Sequence, residues 1–415
     1  MSSMESVLLP WAEKFRSRTN LPVLLRWGNE VADAEGGLRL GDFSHPKVEI
    51  LIRKAAALPL LMAPSLDNLG QAYVEGLIDV RGSVDDMLDM AHRLAQAGSQ
   101  AERPLTRLVR YFTHTPNSDS EAIRYHYDVS NDFYQAWLDP GMVYSCAYFE
   151  NGDETLAQAQ QKKIDHILTK LRLQPGQRLL DIGCGWGALV MRAASRFGAS
   201  CVGITLSQRQ YELASERVRQ AGLADRVEIR LQDYRDVSGP FDRITSVGMF
   251  EHVGIKYLAK YFSRIRELLV DDGWVLNHGI TSTDANDGET SFGGGRFIDR
   301  YVFPRGELPH IGTVLRTMQE GGLEVLDAES LRRHYARTMG LWSQSFEENA
   351  ELLKTLVDEK RWRIWRVYLA GCKWAFEHDE ISLFQVLCRK SGRHAGELPW
   401  SRHWIYPGRL QGRAG

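Results

Sequence analysis

The sequence predicts an α/β protein in two parts: a mostly parallel sheet with helices on both faces, preceded by a smaller α+β domain. Three observations carry this. Beyond residue 178, apolar runs of strand length alternate with amphipathic runs of helix length, the pattern of βαβ units. One of those strands enters a turn with glycine at alternate positions. Residues 1–112 hold short apolar segments broken by turns. A length of 415 residues suits two domains, because domains cluster near ~100–200 residues.

In order along the chain, LPVLLRWG, GGLRLGD and VEILIRKAAALPLLM supply the short segments of the first part, followed by a helix with acids at its start near VDDMLDMAHRLA. No catalytic motif falls in this stretch. THTPNSDSEA (113–122) is polar, with Pro, Ser and Asn, and reads as a linker. The second part, 123–415, then opens. LLDIG (179–183), CVGITL (201–206), VEIRLQ, RITSVGMF and WVLNHGI read as strands. ALVMRAASRFG (188–198) and QRQYELASERVRQAG (208–222) read as helices, the second ended by Gly222. Aromatic-rich helices and a late strand, LFQVLC (383–388), close the chain.

A formal net charge of -2 gives no reason to expect nucleic acid as a partner. The five cysteines have no CxxC pair and no histidine cluster at zinc spacing, so no metal site and no disulfide framework is expected. The first residues lack a basic segment followed by a long apolar one, so no leader is expected. No window approaches the ~18 apolar residues of a membrane span. A cytoplasmic protein is the simplest expectation.

The sharpest local feature is Asp181-Ile182-Gly183-Cys184-Gly185-Trp186-Gly187 after a buried strand and before a helix. Glycine allows a tight turn and close approach of the backbone to a ligand, and the helix start offers free N–H groups. A dinucleotide site usually reads GxGxxG. The D-x-G-x-G-x-G spacing instead resembles motif I of class I methyltransferases, a Rossmann-like fold in which this turn wraps the methionine part of S-adenosylmethionine. The second strand ends in Thr205-Leu206-Ser207 with no acid, leaving Thr205 and Gln210 as neutral groups for ribose hydroxyls. Gln232-Asp233-Tyr234 closes the third strand. There an acid beside an aromatic suits an adenine amino group and ring, although Asp233 alone also reads as an ordinary loop acid.

IRYHYDVSNDFYQAWLDPGMVYSCAYF (123–149), DIGCGWG, GITLSQRQ, QDYRDV, VGMFEHVG (247–254) and FIDRYVFPRG (297–306) together resemble the cyclopropane-fatty-acyl-phospholipid synthases and the mycolic-acid cyclopropane synthases. The likeness spans about residues 120–395. The N-terminal part resembles the extra domain of the bacterial phospholipid enzymes. The resemblance implies transfer of a methyl carbon from S-adenosylmethionine to the cis double bond of a phospholipid acyl chain, closing a cyclopropane. It implies cofactor contacts from Tyr144, Ser145, Asp181, Gly183, Gly185, Trp186, Gly187, Thr205, Leu206, Ser207, Gln210, Gln232, Asp233 and Tyr234. It further implies a bicarbonate ion held by Cys146, Glu251, His278, the backbone of Ile280, and Tyr335. A homodimer acting transiently at the inner face of the cell membrane is the expected working form, with the N-terminal domain presenting lipid or pairing two copies. Two departures stand out. The strand around His278 reads LNHGI where LLHTI is expected, and TDANDGETSFGGG (283–295) is longer and richer in glycine than expected.

The chemistry fits such residues. An alkene is a weak nucleophile, so rate must come from alignment with the S–CH3 axis and exclusion of water. The carbocation that follows needs a dry, aromatic lining, for which Tyr125, Tyr127, Phe133, Tyr134, Trp137, Tyr144, Tyr148 and Phe149 are candidates. Each reads equally as ordinary core. Ring closure needs a base. Taken singly, His278 also reads as a core histidine and Cys146 as a small buried residue. Arg361, Arg363, Arg366 and Lys373, among Trp362, Trp365, Tyr368 and Trp374, read as a helix for a lipid headgroup surface or as a solvated face over an aromatic stripe. Other functions stay open: C-methylation without ring closure, N-methylation of a small amine, or a non-catalytic lipid-binding role.

Overall fold

The computed structural model describes residues 3–27, 37–98, 129–285, 294–303, 306–393 and 398–406. The expected linker 113–122, with Tyr125 and Tyr127, lies outside the described residues, as do residues 286–293 of the glycine-rich segment.

The first part is α+β, as expected. It runs α1 (Ser3–Arg16), β1 (Val23–Trp27), β2 (Leu38–Arg39), β3 (Val48–Ile52), α2 (Leu58–Met62), α3 (Leu66–Val74), β4 (Ile78–Arg81) and α4 (Val84–Gly98). The sheet order is β2-β1-β3-β4, with β1 and β3 parallel and the outer strands antiparallel to them. Leu8, Val23, Leu25, Ile50 and Ile52 form its core with Leu69 and Leu94.

The second part continues with α5 (Asn131–Gln135), α6 (Leu156–Lys170), β5 (Arg178–Ile182), α7 (Ala188–Phe197), β6 (Ser200–Thr205), α8 (Gln208–Gln220), β7 (Val227–Leu231), β8 (Phe241–Val247), α9 (Leu258–Leu268) and β9 (Leu269–Ser282). Then come α10 (Gly294–Tyr301), α11 (Ile311–Glu320), β10 (Leu323–Ser330), α12 (Arg332–Glu348), α13 (Ala350–Leu356), α14 (Glu359–Glu377) and β11 (Ile381–Lys390). The seven strands are ordered β10-β11-β9-β8-β5-β6-β7. The stretch from β9 to β7 is parallel throughout, whereas β11 is antiparallel to both β9 and β10. Side chains alternate between faces. Leu179 packs with α6, α7 and α8 on one side, and Leu180 with α9 and α11 on the other. Two covered faces explain why β5 is apolar without a polar alternation.

A third, aromatic cluster joins α5, α12 and α14 to the second part, and Val74 of the first part enters it. Three basic residues of α14, Arg363, Arg366 and Lys373, are spent at this junction. Arg363 donates to the carbonyls of Tyr73 (2.9 Å) and Ile78 (3.1 Å) and to Asp79 (2.6 Å). Arg366 forks onto Glu347 and reaches the Tyr73 hydroxyl, and Lys373 meets Asp85 at 2.6 Å. The expectation of a cationic headgroup surface on α14 is therefore corrected: Arg363, Arg366 and Lys373 face acids and carbonyls, because the helix packs against α3 and α4.

Candidate active site

At the C-terminal ends of the parallel strands, where open α/β sheets bind ligands, a pocket is lined by the Asp181 turn, the ends of β6 and β7, and the Met142–Ser145 segment. Gly183, Gly185 and Gly187 all have positive φ. A Cβ on Gly185 would meet no protein atom within 4 Å, and Gly185 lines the pocket. The residue thus keeps ligand space open besides permitting the turn. Asp181 is buried, and its Oδ1 accepts from Thr245 Oγ1 at 2.7 Å. Burial pushes its carboxyl up to about 6. Trp186 is anchored by its indole N–H to Asn131 Oδ1 (2.9 Å).

On the second wall, Thr205 donates to Gln210 Oε1 (2.8 Å), and both line the pocket with Leu206, Gln232 and Tyr234. Tyr144 and Ser145 form the facing side. Gly187 and Ser207 do not line it. Gly187 is the N-cap of α7, and Ser207 caps α8 by accepting from Gln210 N–H (3.3 Å). Asp233 also stands outside the lining. Its two oxygens accept from the Arg235 guanidinium at 2.9 and 2.6 Å, and Oδ1 also accepts the Arg235 N–H. Arg235, two residues on, competes for the carboxylate expected to meet adenine.

Sequence reasoning missed Lys163. It lines the pocket, is 2% exposed and donates to Ser145 Oγ at 2.7 Å. Burial brings it down to about 8, against the opposing pull of Cys146, Asp139 and Asp181. Gln160 supports the same wall by donating to the carbonyls of Val143 (3.2 Å) and Ser145 (2.8 Å). A signal was present. Gln160, Lys163, His166 and Lys170 are polar residues at helical spacing on the buried stripe of α6, where apolar residues belong unless a polar partner waits.

Beside this pocket the structure gathers the other predicted group. Glu251 lies on the turn after β8, and its Oε1 accepts the Ile280 N–H at 2.7 Å. Its Oε2 is buried with no hydrogen-bond partner, and burial raises the carboxyl to about 7. His278, on the same face of β9 as Ile280, is 1% exposed, and its Nε2 is also buried without a partner. Burial first, then the nearby Lys163 and Lys170, holds it well below the usual imidazole range. Tyr335 is buried on α12, and Tyr368, Cys146, Cys372 and Glu251, after burial itself, keep its phenol protonated. Cys146 is 0% exposed, but its thiol lies 3.2 Å from the carbonyl of its neighbour Ala147. His278 Nε2–H and the protonated Tyr335 phenol can donate to a small anion, and Glu251 Oε2 can join them while burial keeps its carboxyl protonated. The departure at Gly279 has a physical reason: a Cβ there would lie 2.1 Å from the Phe250 ring.

Aromatic rings enclose this region. Tyr144 stands 5.2 Å from Trp342, 5.6 Å from Trp137 and 5.7 Å from Tyr134 between ring centroids. Its hydroxyl meets that of Tyr368 at 3.3 Å. Phe133, Tyr134, Trp137 and Phe149 are buried, and Tyr148 is half-buried, stacked between His166 and His334.

A sheet of this order, with its pocket at the D-x-G-x-G-x-G turn, is that of a class I S-adenosylmethionine-dependent methyltransferase. The crystal structure of the mycolic acid cyclopropane synthase CmaA1 complexed with SAH and CTAB shares it, with TM-score 0.62 and 37% identity over 65% of this chain and 98% of that one. The chain belongs to the mycolic acid cyclopropane synthetase family, whose model matches residues 114–386. A domain family of unknown function matches residues 12–102. Among curated relatives, a probable fatty acid methyltransferase of Pseudomonas putida is 46% identical over 87% of this chain and 92% of its own length. The cyclopropane-fatty-acyl-phospholipid synthase of Escherichia coli (strain K12) is 40% identical over 63% of this chain and 66% of its own length.

Proposed function

We propose that this methyltransferase transfers the methyl carbon of S-adenosylmethionine to the cis double bond of an unsaturated phospholipid acyl chain and closes it to a cyclopropane. The observation that carries this is the pair of buried, unpartnered polar atoms, Glu251 Oε2 and His278 Nε2, beside the cofactor pocket. Simple methylation of a heteroatom has no need of such a place.

Bound S-adenosylmethionine supplies an electrophilic methyl carbon. The glycine turn and the start of α7 receive its methionine part, and Thr205 with Gln210 meets the ribose. Tyr144 and its aromatic neighbours exclude water and tolerate positive charge on the acyl chain. Bicarbonate held by Glu251, His278, the Ile280 backbone, Tyr335 and Cys146 would supply a base for the last proton. Glu251 orients that place through Ile280, and Tyr335 remains a donor because burial opposes its ionisation.

Ring closure is not the sole reading the comparisons favour. The relative matching 87% of this chain is named a probable fatty acid methyltransferase, which favours C-methylation without ring closure as a second reading. Lipid extracts from cells expressing the chain separate the two. Ring closure adds one CH2, removes the double bond and yields cyclopropane methylene protons by NMR. A methyl branch without those protons overturns ring closure. Stripping bicarbonate should slow turnover, and restoring it should restore the rate.

The reading includes a lipid-presenting or dimer-forming N-terminal part, 1–112, and a protein that visits the inner face of the cell membrane from the cytoplasm as a homodimer. No helix among the described residues is long and apolar enough to cross a membrane. Sedimentation with phospholipid vesicles tests the membrane contact.

A further inference from the structure

Behind His278 the sheet buries a chain of polar side chains that the reaction described above does not use. Gln385 of β11 stands opposite His278 of β9. They are 0% and 1% exposed, and Gln385 Nε2 lies 3.1 Å from His278 Nδ1. On the other side of the amide, Lys170 Nζ lies 3.0 Å from Gln385 Oε1. Lys170 is 1% exposed and is also held by Glu329, with Asp327 at 3.8 Å. Glu329 in turn meets His166 Nε2 at 2.8 Å and the Tyr406 hydroxyl at 3.1 Å.

Each link fixes the next. An ammonium has donors and no acceptor. The Glu329 carboxylate and the Gln385 amide oxygen accept from Lys170, with the Asp327 carboxylate nearby as a further negative charge. Reversing the amide of Gln385 would point its NH2 at the ammonium, donor against donor, so the oxygen must face Lys170. The NH2 must then face His278, and it can only donate. Nδ1 of His278 therefore presents its lone pair, and a neutral imidazole with that lone pair carries its proton on Nε2. Nε2 lies on the side of the ring away from Gln385, buried and without a partner.

We infer that Lys170 and Gln385 are positioning residues that fix His278 as the neutral Nε2–H tautomer, which makes it a hydrogen-bond donor to an anion in the site and denies it the role of base. This rests on the anion-holding role proposed above for His278. The groups around the ring are consistent with it: Lys163 and Lys170 disfavour a second proton, and the opposing Glu329 is spread over Lys170, His166 and Tyr406. Protonation at Nδ1 would set a donor against the Gln385 NH2.

The test is 15N NMR on the full chain labelled at histidine, with His278 assigned by its loss in His278→Ala. Expected is a protonated Nε2 and an unprotonated Nδ1 throughout the range in which a free imidazole titrates, about pH 5.5–7.5. Gln385→Glu presents a carboxylate to Nδ1 and should move the proton there. Turnover should fall by roughly 10²-fold, the lower end for loss of a proton-transfer arrangement, while SAH affinity by calorimetry stays unchanged. Should Gln385→Glu fail to fold, Gln385→Leu removes the donor and should give mixed tautomers. A protonated Nδ1 in the parent overturns the inference, as does a tautomer unmoved in both variants. If the parent shows Nε2–H and the variant reverses it while bicarbonate leaves the rate unchanged, the tautomer assignment stands and the anion reading falls.

Discussion

Glu251 takes the place of a strand in binding Ile280. β8 pairs with β9 as far as Val247 opposite His278, and Gly248 N–H still reaches the His278 carbonyl at 2.8 Å. Two residues on, no backbone carbonyl of β8 remains for the Ile280 N–H, and the Glu251 carboxylate accepts it at 2.7 Å. One oxygen of the side chain is thereby anchored to the sheet, and the other faces inward.

This arrangement opposes stability and activity at one residue. Glu251, raised to about 7 in the folded chain against about 4.3 unfolded, carries a burial penalty that is fully present above pH 7 and vanishes as pH falls toward 4. Glu251→Gln should therefore melt higher than the parent at pH 8, by on the order of 3 kcal/mol, with no gain near pH 4. Turnover should fall by roughly 10²–10⁴ with SAH affinity kept. A variant that melts lower at pH 8 and loses SAH binding would make Glu251 a structural acid.

Gly185→Ala places a methyl where the pocket is open and at a φ of 54° that disfavours a side chain. The Kd for S-adenosylmethionine should rise at least about tenfold, or 1.4 kcal/mol, with the far-ultraviolet circular dichroism unchanged. Unchanged affinity removes the turn from the cofactor site.

Lys163 has the opposite linkage. Its folded value of about 8 lies below the unfolded ~10.4. The penalty is fully present below pH 8 and is relieved as pH rises toward 10. The stability difference between the parent and Lys163→Met should shift in the parent's favour between pH 8 and 10, by on the order of 3 kcal/mol. Urea unfolding at both pH values measures it. A difference that does not move with pH puts the titration elsewhere.

Arg363→Met should lower stability by about 1–3 kcal/mol, because two buried carbonyls lose their donor while Asp79 keeps Arg53. Sedimentation with anionic vesicles should be unchanged in the same variant, since its guanidinium is enclosed between α14 and the first part. Lost sedimentation in a variant of parental stability would return this residue to the lipid surface.

Much of the fold was legible because period and punctuation agree. The β5 run, the Asp181 turn and the α8 stretch ended by Gly222 each carry their own local signal. β10 was not anticipated: LEVLDAES alternates poorly, and its strand character comes from pairing with β11. The antiparallel direction of β11 likewise has no local signal. In the site, Asp181, Gly183, Gly185, Trp186, Thr205, Gln210 and Tyr234 line the pocket where the motifs point, whereas Gly187, Ser207 and Asp233 do not. Lys163 belonged to a legible polar row, Gln160, Lys163, His166 and Lys170, on the buried stripe of α6, whereas Gln385 was missed because a lone polar residue within an apolar strand gains meaning only from the element packed against it. Arg363 and Arg366 misled for the same reason, since their partners lie almost three hundred positions earlier.

The place of β11 also governs the order of assembly. Among the described residues β10 has β11 as its one strand neighbour in the sheet, and β11 is the last strand to leave the ribosome. Until residue 390 has emerged, β9 lacks one neighbour and β10 lacks any. An apolar strand edge is then exposed during synthesis. His278, Lys170 and Glu329 are all made long before Gln385 arrives to connect them. The Asp181 turn can form once β6 and β8 flank it, but the Gln385 link waits for a long-range closure that is slow by its topology. A chain made only as far as His252 would thus carry every residue that lines the pocket and still lack Gln385.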